Sequence, residues 1–332
     1  MVSITVILNE PDLINILFYE NMYTGLSDTF LTINGSAIKS VFMEDNDPVQ
    51  DGHALQTSSF VADSFKPVFQ QFHFDMDAGT MMLEFNEPVN SSSFKPAGIS
   101  IQEKSNINKG GEQYTLLKEG IEIIYPNVTK TFVNISLGFT NWNSIRALYP
   151  LCSDASYCHM GFSIDNLIRD MAGNPMSLLD TVYSAVTPKS YVVDTTRPEL
   201  DYFALDLDSG LLSIYFTETV DAYEFTVGEV TLQNKAQVID TSVPGNQSIG
   251  LSYTFTSDTT KSSSNSWVIY LYIGDSDLNN IKLMYKLGTS KDSTYITFGK
   301  DLVVDMAEFS NIIVPRKDGN GAQATYYTAD MT

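Results

Sequence analysis

Apolar and polar residues alternate with period two on both sides of a short acidic turn at two places in this chain. FHFDMDAGTMMLEFNEPV begins at Phe72 and YFALDLDSGLLSIYFTETV at Tyr202. Each predicts a β-hairpin around a D-x-D-x-G turn, with Gly79 or Gly210 in the left-handed conformation that such turns need. Leu83 with Phe85, and Ile214 with Phe216, are expected to point inward. The two stretches are copies of one another. Asp63 falls on Asp194, Gly79 on Gly210, Phe85 on Phe216, Phe94 on Phe225 and Gln102 on Gln233, at a constant offset of 131 residues. That period is too long for a solenoid unit and matches one small domain, so each repeat is expected to fold as its own bead.

Behind each hairpin come GISIQ or GEVTLQ, then a polar, variable stretch, then a strong strand at 131–137 or 266–273. The polar run TSDTTKSSSNS from Thr256 is expected to be an exposed loop. Helical spacing follows. Leu278, Ile281, Leu283 with Met284, and Leu287 share one face, with Asp275 or Ser276 as N-cap and Gly288 past the end. Trp142, Ile145 and Leu148 repeat the pattern, as do Leu13, Ile16 and Leu17. Each of the three back halves therefore predicts strand, short helix, loop, strand, the first from ITVIL at Ile4. Pro67 and Pro198 stand where one bead hands over to the next, making the linkers extended, short and stiff.

The expected architecture is all-β: tandem immunoglobulin-like β-sandwich domains, each with one short helix. Residues 1–64 form an incomplete repeat (back half only), 65–196 a full repeat and 197–332 another. A sandwich without its first strands exposes sheet edge and core. The expectation is that an upstream repeat or a neighbouring molecule supplies them by β-augmentation. Head-to-tail contacts of that kind propagate into filaments.

Composition narrows the function. The chain has 332 residues, 40 Asp and Glu against 19 Lys and Arg, and a formal net charge of −21, which repels nucleic acid and anionic membrane alike. No apolar run is long enough to span a bilayer, and MVSITVILNEPD has neither the basic start nor the cleavage site of a signal peptide. The two cysteines, Cys152 and Cys158, bracket a polar loop and are expected to form a disulfide. Five N-glycosylation sequons occur, at Asn34, Asn90, Asn127, Asn134 and Asn246. Together they point to a secreted or cell-surface protein carrying N-linked glycans.

VDTTRPEL opening a repeat, FTETV in its hairpin, SDLNNIK before its helix and DMAGNP near its close resemble the immunoglobulin-like tandem repeats of S-layer-type proteins and of fibre or mastigoneme-like surface proteins of microbial eukaryotes. The resemblance spans nearly the whole chain, although the first repeat lacks its front strands and carries FMEDNDPV in place of DMAGNP. It implies scaffolding or adhesion and no catalysis.

The residues themselves offer little else. His53, His73 and His159 lie in no metal-binding spacing, and no GxSxG, P-loop or GxGxxG occurs. Most of the aromatics sit at strand positions that predict core. Asp75, Asp77, Asp206 and Asp208 offer hard oxygen ligands that calcium could use, with junction residues Asp63, Asp194 and Asp330 able to add a carboxylate; ordinary turn chemistry is the competing reading. Apart from calcium, no cofactor is expected. The first functional expectation is a structural subunit of an extracellular glycosylated filament, whose partners are itself or flanking repeats. The alternative is an adhesin that binds glycan or protein through loops at 104–114 and 240–266.

Overall fold

The computed structural model describes residues 3–19, 22–124, 131–177, 185–242, 245 and 247–331. In the central bead the hairpin Phe69–Asp75 with Thr80–Phe85 is the middle of a five-stranded sheet completed by Phe132–Ser136, Glu122–Ile123 and Ser190–Val192. A three-stranded sheet of Ile99–Gln102, Gln113–Thr115 and His159–Phe162 makes the second layer. Period-two burial follows from this arrangement. In Thr80–Phe85, Met81, Leu83 and Phe85 are buried, while the intervening residues are half-exposed. They meet Phe72, Phe74, Ile99, Ile101 and Met160 in one continuous core.

The C-terminal bead repeats the plan with a separate core built on Phe203, Ile214, Phe216 and Phe255. Its larger sheet contains Leu200–Asp206, Leu211–Val220, Ser266–Tyr272, Thr260–Lys261 and Tyr326–Thr328, and its smaller one Thr231–Gln233, Ser252–Thr254, Tyr295–Thr297 and Ala322–Gln323. In both beads the last strand pairs parallel with the first strand of the hairpin: Ser190–Val192 with Phe69–Asp75, and Tyr326–Thr328 with Leu200–Asp206. Every other ladder within the two beads is antiparallel. The turn glycines are left-handed as expected, Gly79 at φ +64° and Gly210 at φ +65°.

Among the described residues there are three α-helices, one per repeat: α1 (Glu10–Leu17), α2 (Gly138–Ala147) and α3 (Asp275–Leu283). The expected cap of α3 is displaced. Gly274 is the N-cap, and the orphan amide of Ser276 is met instead by the Asp258 carboxylate at 2.8 Å, from the preceding loop. Leu283 is also on the outside, 82% exposed, because the helix ends there and Met284 turns back toward the core. The run from Thr256 is not wholly a solvated loop either. Thr256 and Thr259 donate to the fully buried Asp277 of α3, and Lys261 sends its ammonium to the carbonyls of Ala222, Tyr223 and Phe225. Polar side chains go inside here because each has partners waiting.

The N-terminal repeat departs furthest from expectation. Its helix forms, with Asn9 as N-cap accepting from the Asp12 amide at 2.9 Å. The strand expected at ITVIL does not: residues 3–9 join no ladder, and Val6 and Ile7 are 78% and 89% exposed. The physical reason is that a strand is made by its neighbour, and the hairpin that pairs with the equivalent strand in the other two beads has no counterpart in residues 1–64. No described residue between 3 and 64 is buried.

Candidate functional site

The sequence motifs that mark each repeat converge where one bead meets the next. At the second junction, Asp194 of VDTTRP, Glu218 of FTETV and Asp305 of VVDMAE bring carboxylate oxygens within 4.8 Å of one another. At the first, Asp63, Glu87 and Asp170 do the same. On the following bead the two sites share their hydrogen bonding. Asp170 accepts from the backbone and side-chain N–H groups of Asn174 at 2.7 and 2.8 Å, and Asp305 from those of Asn311 at 2.8 and 2.7 Å. The same side-chain amides also donate to the carbonyls of Asp63 (3.2 Å) and Asp194 (3.3 Å), tying each linker to the bead it leads into.

The preceding bead supplies the difference. From α2, Arg146 enters the second cluster, with Nη2 2.5 Å from Asp194 and Nη1 3.0 Å from Glu218. Its guanidinium lies 3.7 Å over the Trp142 ring and also donates to the Met76 carbonyl at 3.2 Å. Arg146, Asp194, Glu218 and Asp305 are all buried. One guanidinium does not neutralise three acids. Burial pushes the Glu218 carboxyl up to about 8 against the pull of Arg146, with the Asp194 and Asp305 charges adding to the rise. Asp194 is raised to about 6, again by burial, with Arg146 opposing. A proton on Glu218 therefore relieves part of the excess negative charge of this site near neutrality.

Among the described residues, the first junction has no such guanidinium. The helical register that places Ile16 on Ile145 and Ile281 places Leu17 on Arg146 and Lys282. Leu17 lines a cleft with Asp63, Met171 and Ala172, just as Arg146 lines one with Asp194, Met306 and Ala307. Lys282 repeats the basic choice at the C-terminal end, 2.8 Å from Asp330. Glu87 is left buried, and burial together with the Asp63 and Asp170 charges raises its carboxyl to about 7. A second polar link follows the same division. Asn143 of α2 accepts the Thr219 amide at 2.6 Å, and its carbonyl accepts the Thr219 hydroxyl at 2.9 Å, across the second junction. At the first junction these positions read Ile14 and Pro88.

The hairpin aspartates work in turns and linkers. Asp75 accepts from the Ala78 amide at 2.8 Å, and Asp206 from the amides of Asp208 and Ser209 at 3.0 and 3.2 Å. One oxygen of Asp77 accepts the amides and hydroxyls of Thr195 and Thr196 at 2.8–3.1 Å, and Asp208 accepts the Met331 amide at 3.1 Å. The tip of each hairpin thus holds the segment that follows the last strand of its own bead. Cys152 and Cys158 are joined, S–S 2.10 Å, beneath the second junction. Of the sequons, Asn34 is exposed, Asn90 caps the Ser92 amide and Asn134 is half-buried on a strand; Asn127 and Asn246 lie outside the described residues.

His73 is the one histidine that meets catalytic-looking partners. Its Nδ1 lies 2.6 Å from Ser190 Oγ and its Nε2 3.0 Å from Glu84. The three sit on adjacent strands of the outer sheet face, where such cross-strand polar rows are ordinary. The amide beside Ser190 serves the ladder, Lys189 N–H donating to the Phe72 carbonyl at 2.7 Å, and is not aimed at a developing oxyanion.

Sequence reading found Asp63, Asp194 and Asp330 as junction carboxylates but missed Glu87, Asp170, Glu218, Asp305 and Arg146. The signal was present. FxE and D-M-A recur with the linker Asp in both full repeats, and residues repeated across beads away from the core pattern mark what the beads do to each other.

No family model matches the chain, and no curated protein matches it. Among solved structures it is similar to the I9–I11 tandem of titin, with 8% identity and a TM-score of 0.17, covering 80% of this chain and 66% of that one. The chain thus spans just under two thirds of that structure. The β-sandwich fold is evident from the sheets themselves.

Proposed function

We propose that this chain is a structural segment of an extracellular glycosylated filament, in which stiff beads follow one another and the incomplete N-terminal sandwich is completed by a neighbouring chain or an upstream repeat. A tandem of β-sandwiches is compatible with a structural or an adhesive role. The observation that favours the structural one is the N-terminal segment: the largely apolar run 4–8 joins no ladder and is exposed, in a repeat that buries none of its described residues. Such a run is a template for strand addition. The junctions support the same reading, because Asp77 and Arg146 hold the second linker, Asn143 bonds the following bead and Asn174 ties Asp63 at the first junction, which suits a chain that bears load along its length. Among the described residues no helix is long and apolar enough to cross a membrane.

Electron cryomicroscopy of the native material, together with glycopeptide mass spectrometry, tests the proposal. The expected result is a strand from another repeat or molecule paired along residues 4–8, with sugar on Asn34, Asn90 or Asn134. Isolated particles with that segment bare would overturn it. The adhesive alternative has one observation in its favour, the different courses of the two variable loops: 104–114 carries a short 3-10 turn and an edge strand, while 240–266 contributes three short strands. Glycan binding lost on exchanging those loops would favour it.

A further inference from the structure

We propose that the first junction is a divalent-cation site of the calcium class, formed by Asp63, Glu87 and Asp170, and that in the second junction the guanidinium of Arg146 stands in that cation's place. Three carboxylates gathered on a surface would not carry this by themselves. What carries it is Glu87, whose side chain is nine-tenths buried (9% exposed) and whose Oε1 is buried without a hydrogen-bond partner, while the three residues hold ligand oxygens within 4.8 Å of one another. A buried carboxylate oxygen with no donor is costly unless something positive comes to it. At the corresponding place in the second junction a charge does, although the Glu218 oxygens likewise lack a hydrogen bond: Arg146 forms ion pairs with Glu218 at 3.0 Å and Asp194 at 2.5 Å. The two junctions agree in the linker aspartate, the hairpin glutamate, the loop aspartate and the asparagine that orients it. They differ in that Leu17 stands where Arg146 does. The negative half of the site is retained in the absence of its cationic side chain.

The donor set selects the ion. All three side chains are hard oxygen ligands, with no imidazole or thiolate in the cluster, which suits Ca²⁺ or Mg²⁺ over zinc or copper. Asn174 holds both oxygens of Asp170 by single hydrogen bonds, which leaves each a further lone pair for a metal. Calcium accepts six to eight oxygens in irregular geometry, so carbonyls and water can complete a shell that octahedral magnesium would find harder to close. Bound there, the ion would bridge the Asp63 linker to the central bead. Its presence does not depend on filament formation, so the two proposals fail separately.

The test is calorimetric titration and equilibrium dialysis of the full chain with CaCl₂. The expected result is one ion per chain, with Kd about 10⁻⁴–10⁻³ M, as in extracellular modules. Glu87→Gln should weaken binding at least about tenfold by removing a charged ligand. Leu17→Arg, on a partly exposed helix that should tolerate it, should abolish binding by importing the guanidinium. Arg146→Leu should raise the stoichiometry to two, and Asp75→Asn, in the hairpin turn, should leave it at one. Absence of saturable binding, binding that survives both Glu87→Gln and Leu17→Arg, or binding lost with Asp75→Asn would overturn the site. A stoichiometry that stays at one in Arg146→Leu would overturn the equivalence of the two junctions.

Discussion

Between the N-terminal and central repeats, three carboxylates meet beside a leucine; between the central and C-terminal repeats, three carboxylates at equivalent positions meet beside an arginine. The acceptor half of the junction, carried by the following bead and the linker, is the same in both. The donor half, carried by the helix of the preceding bead, varies. An arginine is charged at every physiological pH and cannot diffuse away, so the second junction is set once the chain folds. The first has no basic side chain at that place, and its geometry depends on what the solution supplies. The two junctions therefore differ chiefly on one helix face, Leu17 against Arg146 and Ile14 against Asn143, while the sheets keep one plan.

The strongest way to break the contrast is Arg146→Leu in calcium-free buffer. It gives the second junction the leucine of the first and leaves Asp194 and Glu218 buried without their cationic partner. Removing one side of a buried ion pair costs about 3–5 kcal/mol. Urea unfolding should show that loss, and calcium should recover part of it. If the variant unfolds like the parent chain, the guanidinium is not what compensates the cluster.

The next effect is pH. Glu218 is raised from 4.5 to about 8, chiefly by burial, so the folded chain binds its proton more tightly than the unfolded chain does. The stability this proton provides is fully present below about pH 4.5 and is lost as pH rises through about 8. The groups facing it are Arg146, which opposes the shift, and Asp194 and Asp305, which reinforce it. Thermal melts of the parent chain should fall across this window, and Glu218→Gln should flatten the slope. A slope that is unchanged in Glu218→Gln would place the proton elsewhere.

How far the sequence alone reaches follows from what each element depends on. The hairpins, their inward residues, the left-handed glycines and the helices were legible because they rest on local periodicity and turn chemistry. The strand expected at 4–8 was not, since its apolar pattern matches 133–137 while pairing depends on a hairpin that the described residues 3–64 do not supply. Asp258, 18 residues before the amide it caps, shows the same limit: a cap from a distant loop leaves no mark at the helix start. The junction was half legible. Asp63 and Asp194 stood out beside the prolines, but Glu87 and Glu218 did not, because period two from Phe85 and Phe216 puts them on the inward face, where a core residue and not a carboxylate is expected; both are buried.

Asn143→Ala sharpens the comparison with a neutral bond in place of a charge. Its side-chain oxygen accepts the Thr219 amide at 2.6 Å in a fully buried setting, and truncation leaves that amide unsatisfied, at a cost of about 1–3 kcal/mol. The first junction predicts the way around it. There Pro88, which has no amide hydrogen, stands at the Thr219 position and Ile14 at the Asn143 position, so the pair carries no donor to satisfy. The double change Asn143→Ile with Thr219→Pro should therefore be less harmful than Asn143→Ala combined with the full cost of a buried proline. Chemical denaturation of the single and double variants reads the coupling.

The smallest difference lies at the hairpin turns, where Gly79 and Gly210 share a positive φ but not their surroundings. An alanine at either place meets the left-handed penalty, about 1 kcal/mol. At Gly210 the added methyl would lie 3.5 Å from the Ile273 carbonyl, an ordinary contact. At Gly79 it would come within 2.9 Å of the Trp142 ring, which is held in place by its bond to the Met76 carbonyl at 2.8 Å and by Arg146 stacked on its face. Gly79→Ala should therefore cost more than Gly210→Ala by roughly a further 1 kcal/mol, the scale of overpacking against a constrained neighbour. The excess should shrink in an Arg146→Leu background, where the indole is free to move. An equal cost for the two alanines would mean that the ring yields without disturbing the guanidinium, and that the arginine is placed by its carboxylates alone.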